Sequence, residues 1–354
     1  MIYINAQQFL EYSTQMPIVD VRSPSEFLQG HIPGAVNLPL FNDEERKRIG
    51  ILYKNSGRNA SVLLGLEIVG PKMAGFVKEL RKTVQGKDIL IHCWRGGMRS
   101  NGMAWLFETA GFNASVLQGG YKSYRAYIRK QLGEPVKLVI LGGYTGSGKS
   151  EILEFIGQSG EQVLDLEKIA HHKGSAFGDL GQKKQPTNEQ FENNLYSELQ
   201  KLDLNSAIWV EDESRGIGTV SIPEPFFMKM KESRLLFIDV KKKIRVDRLV
   251  SEYAGFNVSL LESAIRRISQ RLGGLNVKLA IDSLNNRDFK TSASILLDYY
   301  DKAYLKGVSD RDPSKVHALR LSSGRPEINS AKVLEFYNRE IKSKIHLFDK
   351  SIQQ

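Results

Sequence analysis

Residues 136–150 read Val-Lys-Leu-Val-Ile-Leu-Gly-Gly-Tyr-Thr-Gly-Ser-Gly-Lys-Ser, and this stretch decides the fold of the second part of the chain. An apolar run that predicts a strand leads into a glycine-rich loop, and residues 151–156 predict a helix. The loop matches the pattern G-x-x-x-x-G-K-[ST] from Gly143 to Ser150. Since a phosphate-binding loop needs this strand–loop–helix context, we expect it to hold a chain of phosphates.

Each position of this loop has a chemical reason. Its glycines let the backbone wrap around a diphosphate, the ammonium of Lys149 reaches the outer oxygens, and the hydroxyl of Ser150 can hold Mg²⁺. The predicted phosphate-binding residues are Gly143, Thr145, Gly146, Ser147, Gly148, Lys149 and Ser150.

An acidic partner for this loop is expected at the end of another strand. The apolar residues at 207–210 run into Glu211, Asp212 and Glu213. We predict that Asp212 or Glu213 holds a metal-bound water, with Mg²⁺ between Ser150 and Asp212. Asp165, after another short apolar run, is a second candidate. The alternative is a charged strand end that faces solvent.

The pattern around this stretch predicts two α/β domains. Strands at 136–141, 162–165, 207–211 and 235–240 alternate with helices, which is typical of a parallel sheet covered on both faces. After residue 241 the pattern is helical, with basic clusters at 241–245 and 266–271. Shorter strands before residue 120 predict a smaller α/β domain. We place the domains at 1–132 and 133–354.

The second chemical signal is the cysteine loop at residues 91–100, Ile-His-Cys-Trp-Arg-Gly-Gly-Met-Arg-Ser. Cys93 follows a predicted strand, and Arg99 opens a helix whose N-terminus favours anions. These groups should lower the pKa of the thiol and make Cys93 a nucleophile. The alternative is an inert buried cysteine. The predicted anion-binding residues of the loop are Arg95, Gly96, Gly97, Met98, Arg99 and Ser100.

Together with Cys93, residues 19–22, 26–27 and 30–37 resemble the rhodanese domain. That resemblance implies a cysteine that carries sulfur as a persulfide, and structural roles for Asp20, Arg22 and His31. However, Cys93 and Arg99 have the Cys-x5-Arg spacing of cysteine-based phosphatases. A phosphatase fused to a nucleotide-binding domain therefore stays open, although the wider loop would also accept selenophosphate.

The whole chain resembles the bacterial tRNA 2-selenouridine synthase family. The stretches that carry the resemblance are 64–73, 93–100, 119–122, 165–167, 172–178, 185–186, 211–214 and 271–274. The resemblance implies a transferase that converts wobble 2-thiouridine of tRNA to 2-selenouridine through an S-geranylated intermediate. It also implies geranyl diphosphate and selenophosphate as co-substrates, and a selenophosphate-producing enzyme as a partner. The phosphate loop is then expected to hold geranyl diphosphate, and Cys93 to carry selenium as a perselenide.

Composition agrees with a nucleic-acid partner. The formal charge is +10, and residues 1–130 hold 17 basic against 10 acidic side chains. The two basic clusters are candidate tRNA contacts, or solvated helix faces. A single cysteine leaves no intramolecular disulfide and no thiolate zinc site, so a cytoplasmic setting is expected. The apolar runs are too short to predict a membrane span.

A further alternative for the function is a module that binds tRNA or nucleotide without catalysis and uses both loops only to hold anions.

The apolar residues Phe226, Phe227, Met228 and Met230 are expected to be core residues, and the alternative is that they line a pocket for a geranyl chain.

Overall fold

The computed structural model describes residues 1–342 and divides into two compact units. The first unit comprises Met1–Gly133 together with Thr187–Ser197. The second comprises Glu134–Pro186 and the chain from Glu198 onwards. This differs from the predicted domains by the segment Thr187–Ser197, which packs with the first unit. Residues 343–354 of the predicted second domain lie outside the described residues.

The first unit is built on a parallel sheet of five strands in the order β1-β5-β4-β2-β3. The strands are β1 (Ile2–Ile4), β2 (Ile18–Asp20), β3 (Val36–Asn37), β4 (Asp88–His92) and β5 (Asn113–Leu117). The helices around it are α1 (Ala6–Tyr12), α2 (Pro24–Gln29), α3 (Asp43–Val69), α4 (Met73–Thr83), α5 (Met98–Thr109) and α6 (Gly120–Gln131). The predicted α/β fold of this part of the chain is confirmed.

The central strand β4 positions the cysteine loop. Ile89, Leu90 and Ile91 are fully buried, because β4 lies between β5 and β2 with helices on both faces. The chain leaves the carboxyl end of β4 at Cys93 and enters α5 at Met98. In a parallel sheet this edge is where ligands are commonly bound.

Helix α3 is long, broken and exposed. Gly57 interrupts it with φ 77°, and a 3₁₀ turn at Gly70–Lys72 separates it from α4. Within residues 1–342, the stretch Asp43–Thr83 is the one whose length and composition would allow a membrane crossing, with 17% of its most apolar window buried. The two breaks divide it into helical segments that are each shorter than the ~20 residues of a span.

A helix from later in the chain completes the first unit. This helix, α9 (Asn188–Leu199), packs on α6 through Arg125, whose guanidinium donates to Asn193 at 2.5 Å and pairs with Glu192. The amide of Asn193 also donates to the Tyr121 hydroxyl at 2.7 Å. Because these groups are buried and paired with one another, the first unit depends on residues far away in sequence.

The second unit has its own parallel sheet, in the order β12-β11-β6-β8-β7. The strands are β6 (Leu138–Gly143), β7 (Gln162–Leu164), β8 (Ile208–Glu211), β11 (Arg234–Val240) and β12 (Val316–Leu321), with a small antiparallel pair β9 (Gly216–Ile217) and β10 (Val220–Ser221). The helices are α7 (Lys149–Gln158), α8 (Leu166–Ala170), α10 (Glu224–Glu232), α11 (Lys242–Tyr253), α12 (Val258–Arg267), α13 (Ser269–Leu272), α14 (Gly274–Asn285), α15 (Phe289–Ser309) and α16 (Pro326–Phe336).

Most predicted elements of the second unit are confirmed. The helical pattern after residue 241 is interrupted by the unpredicted strand β12, which pairs in parallel with β11. Phe226 and Met230 are fully buried on α10, whereas Met228 is 49% exposed. Phe226 and Met230 are therefore core residues, as the simpler interpretation expected.

Candidate functional site

The cysteine loop is held in shape by the start of α6. The backbone N–H of Tyr121 donates to the carbonyl of Cys93 at 2.8 Å, and that of Lys122 donates to Trp94 at 3.0 Å. Gly96 has φ 64°, and a Cβ there would lie 2.5 Å from the Leu117 carbonyl oxygen. This close approach explains why the loop needs a glycine at this position.

Cys93 is only 3% exposed, and its sulfur faces several donors. The Ser100 hydroxyl lies 3.3 Å from Sγ, and the backbone N–H groups of Arg95 and Ser100 also point at the sulfur. Burial by itself raises the pKa of the Cys93 thiol, but the Ser100 hydrogen bond and the Arg99 charge outweigh it and lower the pKa overall. The lowered pKa favours the thiolate form of Cys93, and its role as a nucleophile stays a prediction.

The guanidinium of Arg99 is paired with the carboxylate of Glu26. Its Nη1 lies 2.6 Å from Oε2 of Glu26, and its Nη2 lies 3.3 Å from Oε1. Glu26 also accepts the N–H of Ser23 at 3.1 Å, which completes the predicted capping box of α2. Glu26 therefore occupies the donors with which Arg99 would bind an anion.

An open cleft of about 960 Å³ leads to Cys93. One wall is the first part of α3, and the other is the loop with Trp94, exposed Arg95 and Met98, and Gly97, which caps α5. Gly96 lies behind the loop, against α6. Of the predicted loop residues, Arg95, Gly97, Met98 and Arg99 line this cleft, whereas Gly96 and the buried Ser100 do not.

The early signature residues have structural roles. Asp20 and Arg22 form a fully buried ion pair at 2.6 Å, and Arg22 donates to the carbonyl of Gly30 at 2.7 Å. The ring of His31 stacks on Phe27 at 3.9 Å between centroids. These contacts hold turns and strand ends, as predicted for Asp20, Arg22 and His31.

The phosphate loop of the second unit forms as predicted. Gly148 has φ 80°, and a Cβ at this position would lie 2.8 Å from the guanidinium carbon of Arg248. Lys149 begins α7, and its Nζ lies 3.2 Å from the Gly143 carbonyl and 3.3 Å from Oε1 of Glu211. Ser147 is almost fully buried. The other predicted residues of the loop line one cavity, and they are Gly143, Thr145, Gly146, Gly148, Lys149 and Ser150.

The acidic partner of this loop is Glu211, which corrects the prediction for Asp212. The Ser150 hydroxyl donates to Glu211 at 3.0 Å and to Glu167 at 3.2 Å. Both oxygens of Asp212 are engaged elsewhere, by Arg311 at 2.6 Å and by the Tyr304 hydroxyl at 2.7 Å. Since successive side chains of a strand point to opposite sides, a shift of one residue changes which carboxylate faces the loop.

Of the other two acidic candidates, Asp165 has a structural role and Glu213 lies in the acidic cluster. Asp165 accepts the N–H of Lys168 at 2.8 Å and caps α8, so its role here is structural. Glu213 joins Glu167 and Glu211 in a cluster in which one ligand oxygen from each lies within 4.8 Å of the others. The prediction of an acidic group beside Ser150 is therefore met by Glu167, Glu211 and Glu213.

The charges in this cluster affect one another. Burial and then the charge of Glu211 raise the pKa of Glu167 to about 8. Burial is also the main reason that the pKa of Glu213 is raised well above its ordinary value. Burial alone would lower the pKa of Lys149, but the three glutamates raise it. Three oxygen donors with an excess of negative charge, beside a phosphate loop, suit a hard cation such as Mg²⁺.

The cavity that begins at the phosphate loop continues into an apolar chamber. Its total volume is about 530 Å³, within the range of small-molecule sites. The chamber lies among α11, α12, α14 and α15. Its apolar walls are formed by Phe177, Leu249, Tyr253, Leu261, Ile265, Leu284, Leu296 and Tyr300.

Comparisons with known proteins agree with both halves of the molecule. Residues 136–319 match the family model of the tRNA 2-selenouridine synthase AAA domain, and residues 5–127 match that of the rhodanese-like domain. The chain is 34% identical over 328 residues to the tRNA 2-selenouridine synthase of Bordetella petrii, which covers 82% of this chain and 86% of that protein.

This chain belongs to the tRNA 2-selenouridine synthase family. It is 43% identical over 256 residues to the Bdellovibrio bacteriovorus member, which covers 68% of this chain and 65% of that protein. With the Nitrosomonas europaea member it shares 40% identity over 250 residues, or 67% of this chain and 63% of that one. In these two matches the chain spans slightly less than two thirds of the relative's length.

Most basic side chains of the clusters at 241–245 and 266–271 are paired with carboxylates. Arg245 is buried and pairs with Asp301 at 2.7 Å. The other paired members of the clusters are Lys242 with Asp298, Arg266 with Glu262 and Arg267 with Asp179. Arg271 lines the cavity. These clusters are therefore weaker candidates for tRNA contact than the sequence indicated.

Sequence reasoning missed Glu167 as a member of the acidic cluster. It lies on α8, two residues after Asp165, and its carboxylate reaches Ser150. The signal for it in the sequence is the short motif Asp165–Leu166–Glu167, one of the stretches that carry the family resemblance. Sequence reasoning also missed Tyr304, whose hydroxyl donates to Asp212 and accepts the N–H of Gly143 at 3.0 Å.

Proposed function

We propose that this protein converts 2-thiouridine in tRNA to 2-selenouridine, first by geranylation of the sulfur and then by exchange of the geranylthio group for selenium. The observation that carries the proposal is the cavity of the second unit, in which a phosphate loop opens directly into an apolar chamber. A diphosphate with a hydrocarbon chain fits both parts of this cavity, because the loop offers donors to the diphosphate and the chamber offers apolar walls to the chain.

In the first step, the phosphate loop holds the diphosphate of geranyl diphosphate. Its backbone N–H groups and the ammonium of Lys149 stabilise the negative charge that develops on the leaving diphosphate. The thiouridine sulfur attacks the first carbon of the geranyl chain, and the carbon–oxygen bond breaks. Alkylation turns the sulfur into a better leaving group for the second step.

A magnesium ion fits the acidic cluster in this proposal. Glu167, Glu211 and Glu213, with the Ser150 hydroxyl, would hold the ion beside the diphosphate. The ion would supply positive charge to the diphosphate oxygens. Burial, and after it the charges of the neighbouring carboxylates, raise the pKa values of Glu167 and Glu213, and a cation would favour their ionised forms.

In the second step, the cysteine loop takes selenophosphate. Arg99 and the backbone N–H groups of the loop would bind the phosphate oxygens, and Cys93 is the nucleophile that makes the selenium available. Selenium then attacks C2 of the geranylated base, and geranylthiol leaves.

The surroundings of the Cys93 cleft support tRNA as the partner. Between residues 46 and 58, five side chains are basic and none is acidic. Lys47 and Lys54 are exposed on the cleft wall, and within residues 1–342 neither has a carboxylate in ion-pair contact. Tyr53 beside them is 58% exposed, and an exposed aromatic ring among cations is typical of surfaces that bind single-stranded RNA.

Nucleoside mass spectrometry tests the proposal. Thiolated tRNA is incubated with the full-length protein, geranyl diphosphate and selenophosphate, and each reagent is omitted in turn. We expect a geranylated nucleoside with the first donor and 2-selenouridine only with both. Unchanged 2-thiouridine in every reaction, with turnover of an aryl phosphate that depends on Cys93, would favour the phosphatase alternative instead.

A further inference from the structure

The chemistry at Cys93 is limited by the number of electrons available. Selenophosphate contains selenium as selenide and phosphorus at the oxidation level of phosphate. If the Cys93 thiolate attacked selenium, a perselenide would form and phosphorus would leave two electrons more reduced, as phosphite. Release of phosphate by that route would need an oxidant, and the single cysteine of the chain provides no disulfide to act as one.

We propose that the Cys93 thiolate attacks the phosphorus of selenophosphate. This attack forms a phosphocysteine and releases hydrogen selenide ion within the loop. This inference rests on the proposed function, because it specifies how the selenium step proceeds. The sulfur–phosphorus bond forms and the phosphorus–selenium bond breaks. The electron pair of that bond leaves with selenium, together with the proton that selenophosphate carries at neutral pH. No atom changes its oxidation level, so no oxidant or reductant is required.

The loop has the geometry for attack on a tetrahedral phosphorus. Cys93 and Arg99 are separated by five residues, and α5 begins between them at Met98. The backbone N–H groups of Arg95 and Ser100 point at the sulfur, so a phosphoryl group bound there meets donors on more than one side. Arg99 offers two parallel N–H groups for phosphate oxygens once Glu26 releases them.

The cleft favours selenophosphate over ordinary phosphate esters. An ester needs a general acid, because an alkoxide is a poor leaving group without a proton. The carboxyl groups that line this cleft are Glu26 and Asp43. Hydrogen bonds from Ser25 lower the pKa of Asp43, and the Arg99 contact outweighs burial and lowers that of Glu26. Both are ionised at neutral pH and hold no proton to give. Selenium leaves as the weakly basic hydrogen selenide ion and takes the proton that selenophosphate itself carries at neutral pH, so the protein need not supply one.

The selenide is then consumed and the enzyme is restored. Hydrogen selenide ion attacks C2 of the geranylated base, and geranylthiol leaves with the proton. Water attacks the phosphorus of phosphocysteine, the sulfur–phosphorus bond breaks, and phosphate is released. The electron pair returns to sulfur, where the Ser100 hydroxyl at 3.3 Å stabilises the thiolate.

Rapid-quench mass spectrometry of the full-length protein tests this assignment. The protein is mixed with selenophosphate and quenched, and the peptide that contains Cys93 is weighed. We expect the mass of one added phosphoryl group and no selenium isotope pattern. In Ser100→Ala the phosphoryl form, once formed, should decay at least about fivefold more slowly, because hydrolysis loses the hydroxyl that stabilises the leaving thiolate. The matched control is Ser115→Ala, a buried serine on β5.

Two results would overturn the phosphocysteine. One is a selenium adduct on Cys93, with phosphite as the phosphorus product. The other is that the Ser100→Ala variant forms 2-selenouridine at the normal rate while it shows no phosphoryl group on Cys93 at any quench time. If phosphocysteine forms but no 2-selenouridine appears with any donor, the proposed function fails and this assignment stands.

Discussion

Nη1 of Arg99 lies 2.6 Å from Oε2 of Glu26, so the arginine that should bind the incoming anion is paired with a carboxylate of its own chain. The pair is only partly exposed, with 18% of the Arg99 side chain and 22% of the Glu26 side chain accessible. An anion that enters the loop must compete with this carboxylate. We therefore expect Glu26 to weaken anion binding while it keeps Arg99 in place.

We expect Glu26→Gln to bind inorganic phosphate about threefold to fivefold more tightly than the natural protein. The variant removes a competing ion pair worth about 0.5–1 kcal/mol, and glutamine still completes the capping box of α2. Titration calorimetry measures the affinity. Glu44→Gln is the matched control, since Glu44 is exposed and lies outside the cleft. Equal gains in both variants would mean that only net charge matters.

Ser100→Ala should raise the pKa of the Cys93 thiol. The Ser100 hydrogen bond is the largest of the effects that lower this pKa against burial, and its loss disfavours the thiolate. At neutral pH we expect alkylation by iodoacetamide to be about fivefold to tenfold slower. Alkylation rates measured against pH test this, with Ser115→Ala as the control. An unchanged pH profile would assign the lowered pKa to the loop backbone and Arg99.

Local motifs predict the two loops of this protein, because each motif is a short stretch of sequence that is typical of one loop conformation. Gly143 to Ser150 and Cys93 to Ser100 needed no distant residue to be identified. The acidic cluster was predicted less well. Its position followed from the end of β8, but the choice between Glu211 and Asp212 depends on where the strand ends, to within one residue.

Contacts between distant segments could not be predicted in this way. Helix α9 reads as an ordinary amphipathic helix, and its partner Arg125 lies more than sixty residues earlier. Strand β12 is six residues long and follows a long helical region, so pairing with β11 is visible only in the fold. The apolar chamber likewise depends on four helices that come together.

The acidic cluster should make stability depend on pH and on magnesium. The pKa of Glu167 is raised to about 8 in the folded protein, mainly by burial and by Glu211, and lies near 4.3 when unfolded. The folded protein therefore keeps a proton that the unfolded chain loses, and its stability falls as pH rises from about 4.3 to about 8. Since a cation offsets the repulsion, magnesium should raise Tm more at pH 8 than at pH 6.

Glu167→Gln tests the same cluster from the other side. Without magnesium at pH 8, we expect the variant to be more stable than the natural protein by on the order of 1 kcal/mol, because it removes one crowded charge. Its Tm should also respond less to magnesium. Thermal unfolding with and without the ion measures both effects. Glu154→Gln, an exposed change on α7, is the control, and equal behaviour of the two variants would contradict a metal site.

Ala293→Trp should block the apolar chamber. Ala293 on α15 lines the cavity, and an indole there would occupy space that the geranyl chain needs. We expect KM for geranyl diphosphate to rise at least about tenfold, since several buried methylenes are displaced, while affinity for inorganic diphosphate is unchanged. Ser294→Trp, next on the same helix but outside the cavity lining, is the control. An unchanged KM would place the hydrocarbon chain elsewhere.

Lys47→Gln with Lys54→Gln should weaken RNA binding to the Cys93 cleft. Both lysines line its wall, and a single strand bound there would lose two phosphate contacts. We expect affinity for a synthetic anticodon stem-loop to fall about tenfold, and the slope of log K against log salt to decrease by about 1.4. Fluorescence anisotropy at several salt concentrations measures both quantities. The matched control is Lys78→Gln with Lys87→Gln, two exposed lysines of the first unit that do not line the cleft. If both pairs lower affinity equally, the attraction is a property of net charge and the cleft is not the RNA site.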